Sequence, residues 1–239
     1  MKWRLYHIGL LLLVHLTACK KGIWSDPGPL KTEERTARPI AQILLYDNVN
    51  LVLTQDSTER VRVEAPESIL PEISTEMDGH SLTIRNRNRS LINDPDEVLT
   101  VYVNVRYLQR LDYLGSANVR CTNTLQSPYF TVLASEGSGN LELKLNSVIT
   151  DAYLYSDMAD FRFEGRSDSS YTYCNALGTI DYRNFEVKRL QLDYSGIRDA
   201  HVNATEQLNA RIFYKGNVYY KNNPVIRKEE NSTGKLLPY

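Results

Sequence analysis

The side chains of this sequence that could do acid–base chemistry are the carboxylates of its repeats, Glu142, Glu164 and Asp181, each of which meets a basic residue above or below it once the repeats are stacked. An enzyme that cuts or eliminates along an acidic polysaccharide would gather its carboxylates on one face, for proton transfer or to hold calcium. The pattern here opposes that use. Stacked on a common register, Arg120, Glu142, Arg162 and Asp181 form an outward column of alternating sign, and Lys144, Glu164 and Arg183 form a second beside it. Alternation keeps each carboxylate ionised beside a base instead of perturbed. His80 and His201, like Cys121 and Cys174, lack metal-ligand spacing. Gly137-Ser138-Gly139 is a turn, because a nucleophile elbow sets its glycines two residues to either side of the serine. A net charge of −1 leaves no basic footprint for nucleic acid. The sequence therefore predicts no catalytic residue, no cofactor, no metal and no nucleic-acid partner.

The elements that position these residues repeat. Ala117-Asn118-Val119-Arg120-Cys121, Gly139-Asn140-Leu141-Glu142-Leu143, Ala159-Asp160-Phe161-Arg162-Phe163, Gly178-Thr179-Ile180-Asp181-Tyr182, Arg198-Asp199-Ala200-His201-Val202 and Gly216-Asn217-Val218-Tyr219-Tyr220 share one pattern. Their second positions are spaced by about 22, 20, 19, 20 and 18 residues, the length of one solenoid coil. The predicted fold is all-β, a single-stranded right-handed parallel β-helix, with the residues one and three beyond each anchor facing inward. Those two and four beyond face solvent. The anchors Asn118, Asn140, Asp160, Thr179, Asp199 and Asn217 would stack as a structural ladder at a turn, bonding neighbouring backbone amides; a calcium site in that column is the alternative. Ahead of the repeat lies a less regular β-rich region, with strands expected at Asn50-Leu51-Val52-Leu53, Val61-Arg62-Val63, Leu82-Thr83-Ile84 and across 99–105. Residues 69–77 read as a short helix or an irregular strand. Residues 40–224 make one domain, and 225–239 a cap or tail.

Tyrosine occurs sixteen times. Five positions before the anchors stand Tyr113, Ser135, Tyr155, Cys174, Tyr194 and Ile212, whose parity points inward or along a corner. Core packing accounts for such rings, with the hydroxyl reaching water. The functional alternative is a platform for sugar rings or peptide, best represented by Tyr171, Tyr173 and Tyr219. Cys121 and Cys174 sit on the first and fourth rungs, about 14 Å apart at the spacing of stacked strands. They are expected to be reduced and packed inward.

Residues 1–18 read as an export signal: Lys2 and Arg4 precede an apolar core at 8–16 that is too short to span a bilayer. Leu16-Thr17-Ala18-Cys19 resembles the lipobox of bacterial lipoproteins, by which Cys19 becomes the acylated N-terminus. Residues 19–39, with Gly22, Pro27, Gly28, Pro29 and Pro39, are expected to be a flexible tether.

The domain resembles the putative auto-transporter adhesin head GIN family. The resemblance rests on Asn50-Leu51-Val52-Leu53-Thr54-Gln55, Asp78-Gly79-His80-Ser81-Leu82-Thr83-Ile84, the strand at 101–105, and the rungs ending in Lys215-Gly216-Asn217-Val218. Glu136-Gly137-Ser138-Gly139 approaches the family's Ser-Gly-Ser-Gly turn, and Ser195-Gly196-Ile197-Arg198 departs from it. The resemblance implies a parallel β-helix and an adhesin-like role. The expected function is a noncatalytic lipoprotein of the bacterial cell envelope. It would be held in the outer membrane by lipid on Cys19 and present a binding surface to an extracellular glycan or protein. The alternatives are a periplasmic structural or assembly factor and a polysaccharide-active enzyme; surface or periplasmic orientation stays open.

Overall fold

The structure, a computed structural model, describes residues 27–88, 99–155 and 158–239. The first strand, β1 (Leu30–Arg35), is charged and exposed. Next, β2 (Gln42–Asp47) and β3 (Asn50–Gln55) make one coil around a turn in which Asp47 adopts a φ of 61°. Then β4 (Arg60–Pro66) leads through a 3₁₀ turn, Leu70–Glu72, to β5 (Ile73–Asp78). A hairpin at Gly79, with a φ of +57°, joins β5 to β6 (Ser81–Asn86). Beyond lie β7 (Thr100–Val105), β8 (Arg110–Gly115) and β9 (Val119–Cys121).

These strands already belong to the solenoid. On one side of the β2/β3 coil lie β8 and β9, on the other β6 and β7, all parallel to it. The stack end is closed by antiparallel strands: β4 on β7, β1 on β4, and β5 on β6. Such strands finish a sheet edge, and the charges of β1 discourage further pairing.

The repeat proper follows. After β10 (Leu125–Gln126) and β11 (Tyr129–Ala134) come four long strands: β12 (Asn140–Leu154), β13 (Asp160–Cys174), β14 (Ile180–Tyr194) and β15 (Ala200–Ile212). In β12 the buried positions are Leu141, Leu143 and Leu145, then Thr150, Ala152 and Leu154. This change of parity marks a corner, so each long strand supplies two arms on two faces of the coil. The register is one-to-one across β12 and β13, from Asn140↔Asp160 to Leu154↔Cys174. The stack ends in β16 (Val218–Lys221), β17 (Val225–Glu230) and β18 (Leu236–Pro238).

Between the faces runs a continuous apolar core. At its middle Phe163 stacks on Tyr182 with centroids 4.8 Å apart, and Phe185 meets both rings edge-on. Cys121 and Cys174 are buried and free, as the rung spacing predicts.

Several sequence expectations are corrected. Within the expected tether, residues 30–35 are strand, because Leu30↔Pro66 through Arg35↔Val61 complete the edge of β4. Of the two expectations for 225–239, cap or tail, the segment follows the first: β17 lies parallel on β15 and β18 on β16, covering the last rung. Residues 69–77 divide between the 3₁₀ turn and strand β5. Opposite Glu164 stands Asn184 and not Arg183, since β14 carries an extra residue between the partners of Arg162 and Glu164. The buried column includes Tyr113, Ala134, Leu154, Cys174, Tyr194 and Ile212. Ser135 and Tyr155 fall one residue past it, and Tyr155 is exposed. Asn203, expected outside, is buried and donates to the Arg183 carbonyl at 3.1 Å. Tyr220, expected inside, is only half-buried against the core.

Candidate functional site

Three surfaces result from this stacking: a ladder at the corner leading into the first arms, a charged face on those arms, and an aromatic face on the second arms.

At the ladder, the side-chain oxygens of Asn50, Asn118, Asp160, Asp199 and Asn217 each accept a backbone N–H of the next coil. Asn50 Oδ1 takes the N–H of Asn118, and Asn118 Oδ1 takes that of Asn140, both at 3.0 Å. Asp160 Oδ1 accepts from the Thr179 N–H at 2.8 Å and its hydroxyl at 2.7 Å. Asp199 and Asn217 repeat the bond toward Asn217 and Lys235, at 3.0 Å each. These bonds hold the turns of successive coils together, and they lower the pKa of Asp160 against the opposing effect of its burial. Of the six anchors named from sequence, Asn118, Asp160, Asp199 and Asn217 accept such a bond; Asn50 is not among the six, because its coil lies out of chain order beside the coil of Asn118. Where the residue before an anchor is glycine, it lies close against the preceding coil: a Cβ on Gly178 would stand 1.7 Å from the Ala159 carbonyl oxygen.

On the charged face Arg162 lies between Glu142, at 3.5 Å, and Asp181, at 3.6 Å. Arg183 clasps Asp181 through Nε at 2.8 Å and Nη2 at 2.5 Å. Those bonds bring the Asp181 carboxyl down to about 2, well below the usual carboxylate range. His201 and Tyr219 continue the column, their rings stacked 5.4 Å apart with Tyr239 edge-on to His201. The carboxylates of this column are held by arginines and are poor proton shuttles.

On the second face, Tyr153 pairs in register with Tyr173, and Tyr171 lies opposite Asp151. Tyr153 meets Tyr171 edge-on at 5.8 Å, while Tyr155 and Tyr173 lie 5.0 Å apart, tilted by 42°. Leu133 precedes Tyr153 in its column, and Tyr129 stands exposed on the adjoining edge. Ion pairs brace the patch at both ends. At one, Asp112 accepts from Arg110 Nε at 2.8 and 3.0 Å and from Gln42 Nε2 at 2.6 Å. At the other, Asp193 accepts from Arg211 Nε at 2.6 Å and from the Tyr171 hydroxyl at 3.0 Å. Burial and the Asp193 bond push the Tyr171 phenol up to about 12, and burial raises the carboxyl of Asp151.

Of the aromatics singled out from sequence, the structure brings Tyr171 and Tyr173 together and leaves Tyr219 on the other face. It adds Tyr153 and Tyr155. The twenty-residue step from Tyr153 to Tyr173, one coil, is the sequence signal that could have found the first. The patch offers ring faces for the C–H faces of sugars or for apolar side chains. Among the described residues no three His, Cys, Asp or Glu side chains gather as metal ligands would. Cys19 lies outside the described residues.

Comparison with known proteins agrees with the architecture. A family profile described as "Putative auto-transporter adhesin, head GIN domain" matches residues 41–224. Among solved structures, a "putative adhesin" from Bacteroides fragilis superposes with a TM-score of 0.82 at 18% identity, covering 88% of this chain and 97% of that one. A "putative adhesin" from Parabacteroides distasonis gives 0.69 at 18%, covering 89% and 98%. A "Putative lipid binding protein" from the same species gives 0.66 at 18%, covering 89% and 97%. At that identity the likeness is one of fold. No curated protein matches the chain.

Proposed function

The chain belongs to the family described as "Putative auto-transporter adhesin, head GIN domain", and from that premise we propose that it is a noncatalytic binding module of the bacterial cell envelope. It is anchored in the outer membrane by lipid on Cys19 and holds a glycan or protein on the tyrosine face. The observation that carries this reading is the placement of Tyr153, Tyr171 and Tyr173 on one sheet, with Tyr155 at its margin against Tyr173, between two buried aspartates, Asp112 and Asp193, each paired with a half-exposed arginine. Aromatic rings held on a rigid sheet bind with little loss of side-chain freedom, which is the usual economy of a recognition surface. A noncatalytic role is supported by the arginine pairing of Glu142, Asp181, Asp112 and Asp193, which leaves those carboxylates committed to structure.

The binding test is retention of the protein on immobilised neutral polysaccharides and on extracellular matrix proteins, beside Tyr153→Ala/Tyr173→Ala. Retention of the parent on at least one of these and its loss in the double variant is expected. Equal behaviour of the two argues against the tyrosine face. Protease shaving of intact cells, with Cys19→Ser as the unanchored control, tests location: digestion of the anchored form is expected for an outward-facing binder. Protection until the outer membrane is opened favours the periplasmic structural or assembly role.

A further inference from the structure

The two corners of the solenoid differ in chemistry. Where second arms turn into first arms, large apolar side chains stand exposed on four successive turns: Tyr155, Leu177, Ile197, and the pair Phe213 and Tyr214, each 41–48% accessible. They line one continuous depression along the edge. The four turns together extend about 14 Å at the spacing of stacked strands. The neighbouring turns in the stack carry Ser135, Glu136 and Ser138 on one side and Asn231, Ser232 and Thr233 on the other. The opposite corner is charged, with Lys188 on Asp168 at 2.7 Å and Arg189 near Glu206 at 3.7 Å. Val148 and Val225 are also exposed at that opposite corner, but they form no run on successive turns; here four successive turns are apolar, and apart from Tyr155, whose ring packs on Tyr173, the tips serve neither the core nor the sheet faces.

Cations flank the tips. Lys215 Nζ stands 5.6 Å from the Tyr214 ring centre, and Arg198 is exposed beside Ile197 while reaching Asp160 at 3.6 Å. Aromatic and aliphatic tips with lysine or arginine alongside are the composition that settles at a lipid headgroup boundary.

The start of the described chain lies at this same corner. Pro27 and Pro29 accept backbone bonds from Ser68 and Glu67, just past the end of β4. Two residues before that end, Glu64 is in register with Thr100, and Thr100 with Asn50, the first member of the ladder. From position 19 to position 27 an extended chain reaches up to about 27 Å. The turn at Tyr155 enters β13, which lies five strands along the stack from β4, or about 24 Å. A lipid on Cys19 and the apolar tips can therefore lie in one plane.

We propose that this corner rests on a phospholipid surface, with Leu177, Ile197, Phe213 and Tyr214 at the headgroup boundary and Lys215 and Arg198 toward the phosphates. The solenoid then lies along the membrane with both faces open to the side, the tyrosine face included. The tether argument uses the lipid-anchor reading of Cys19; the affinity of the corner for lipid does not depend on it.

The test uses residues 19–239 with Cys19→Ser, which carry no acyl group, and co-sedimentation with vesicles of phosphatidylethanolamine and phosphatidylglycerol. The parent is expected to pellet with vesicles. Leu177→Ser/Ile197→Ser/Phe213→Ser should lower its partition about tenfold or more, while Val148→Ser at the opposite corner leaves it unchanged. Absence of parent sedimentation, or equal sedimentation of the triple variant, overturns the proposal. So does a lipid-free dimer that the triple variant abolishes, because the corner then meets a second copy. Should the triple variant not fold, Ile197→Trp in a Trp24→Phe background supplies the readout: a blue shift of emission on vesicles is expected, and an unshifted spectrum overturns the proposal. Tyr153→Ala/Tyr173→Ala should sediment like the parent, so failure of the membrane corner and failure of the tyrosine face are told apart.

Discussion

The side chain of Asn118 accepts the backbone N–H of Asn140 at 3.0 Å, while the N–H of Asn118 itself goes to Asn50, 68 residues earlier in the chain. One residue thus ties three coils together at their turn. Asn118→Ala leaves the Asn140 amide without this partner and should cost about 1 kcal/mol in urea unfolding. Asn118→Asp keeps an acceptor at the same place and should recover most of the loss.

Gly178 and Gly79 illustrate two reasons for glycine. A Cβ at Gly178 would collide with the Ala159 carbonyl of the adjacent coil, whereas one at Gly79 meets nothing within 4 Å and suffers only from its φ of +57°. Gly178→Ala must push apart a pair of hydrogen-bonded coils and should cost about 3 kcal/mol. Gly79→Ala should cost about 1 kcal/mol, the penalty of a left-handed alanine. Thermal unfolding of the two variants side by side checks the order.

Burial pushes the Cys121 thiol up to about 11 and the Cys174 thiol up to about 12. In the Cys19→Ser chain both should resist Ellman's reagent at pH 8 while folded, and both should react on unfolding. Reaction of either in the native protein would mean that the core opens there.

The depressed carboxyl of Asp181, at about 2 in the folded chain, makes a contribution that depends on pH. Because its pKa is lowered on folding, it stabilises the protein above about pH 4, the unfolded value, and that stability fades as pH falls toward 2. Arg162 and Arg183 are half-exposed, so screening limits the effect to under about 1 kcal/mol. Asp181→Asn should unfold more easily than the parent at pH 7, and the two should converge near pH 2.

The repeat was legible because every coil sets two apolar residues around one polar residue after a polar anchor, and that order survives any change in turn length. Leu141, Phe161, Ile180, Ala200 and Val218 are all buried where the period puts them. What chain order conceals is spatial order. The β2/β3 coil lies between β8/β9 and β6/β7, so Asn50 sits at the head of the ladder although no fixed period connects it to Asn118. Coil lengths also vary, and counting back from the anchors misplaces residues on the preceding arm, as with Ser135 and Tyr155. The extra residue of β14, which turns Arg183 away from Glu164 and onto Asp181, has no signature in composition. Tyr171 and Tyr173 could be named as aromatics, but only the bend of the long strands shows that they share a face with Tyr153 and that Tyr219 does not.

The central claim is that the tyrosine face is where a partner binds. Its most direct measurement is a calorimetric titration of the polysaccharide or matrix protein best retained by the parent, repeated with Tyr153→Ala/Tyr173→Ala and with Arg162→Ala on the opposite face. Loss of about tenfold or more in affinity for the tyrosine variant, equivalent to about 1.4 kcal/mol, with Arg162→Ala unchanged, is the predicted result. Affinity that survives the tyrosine changes and falls with Arg162→Ala would contradict it and move the site to the charged face.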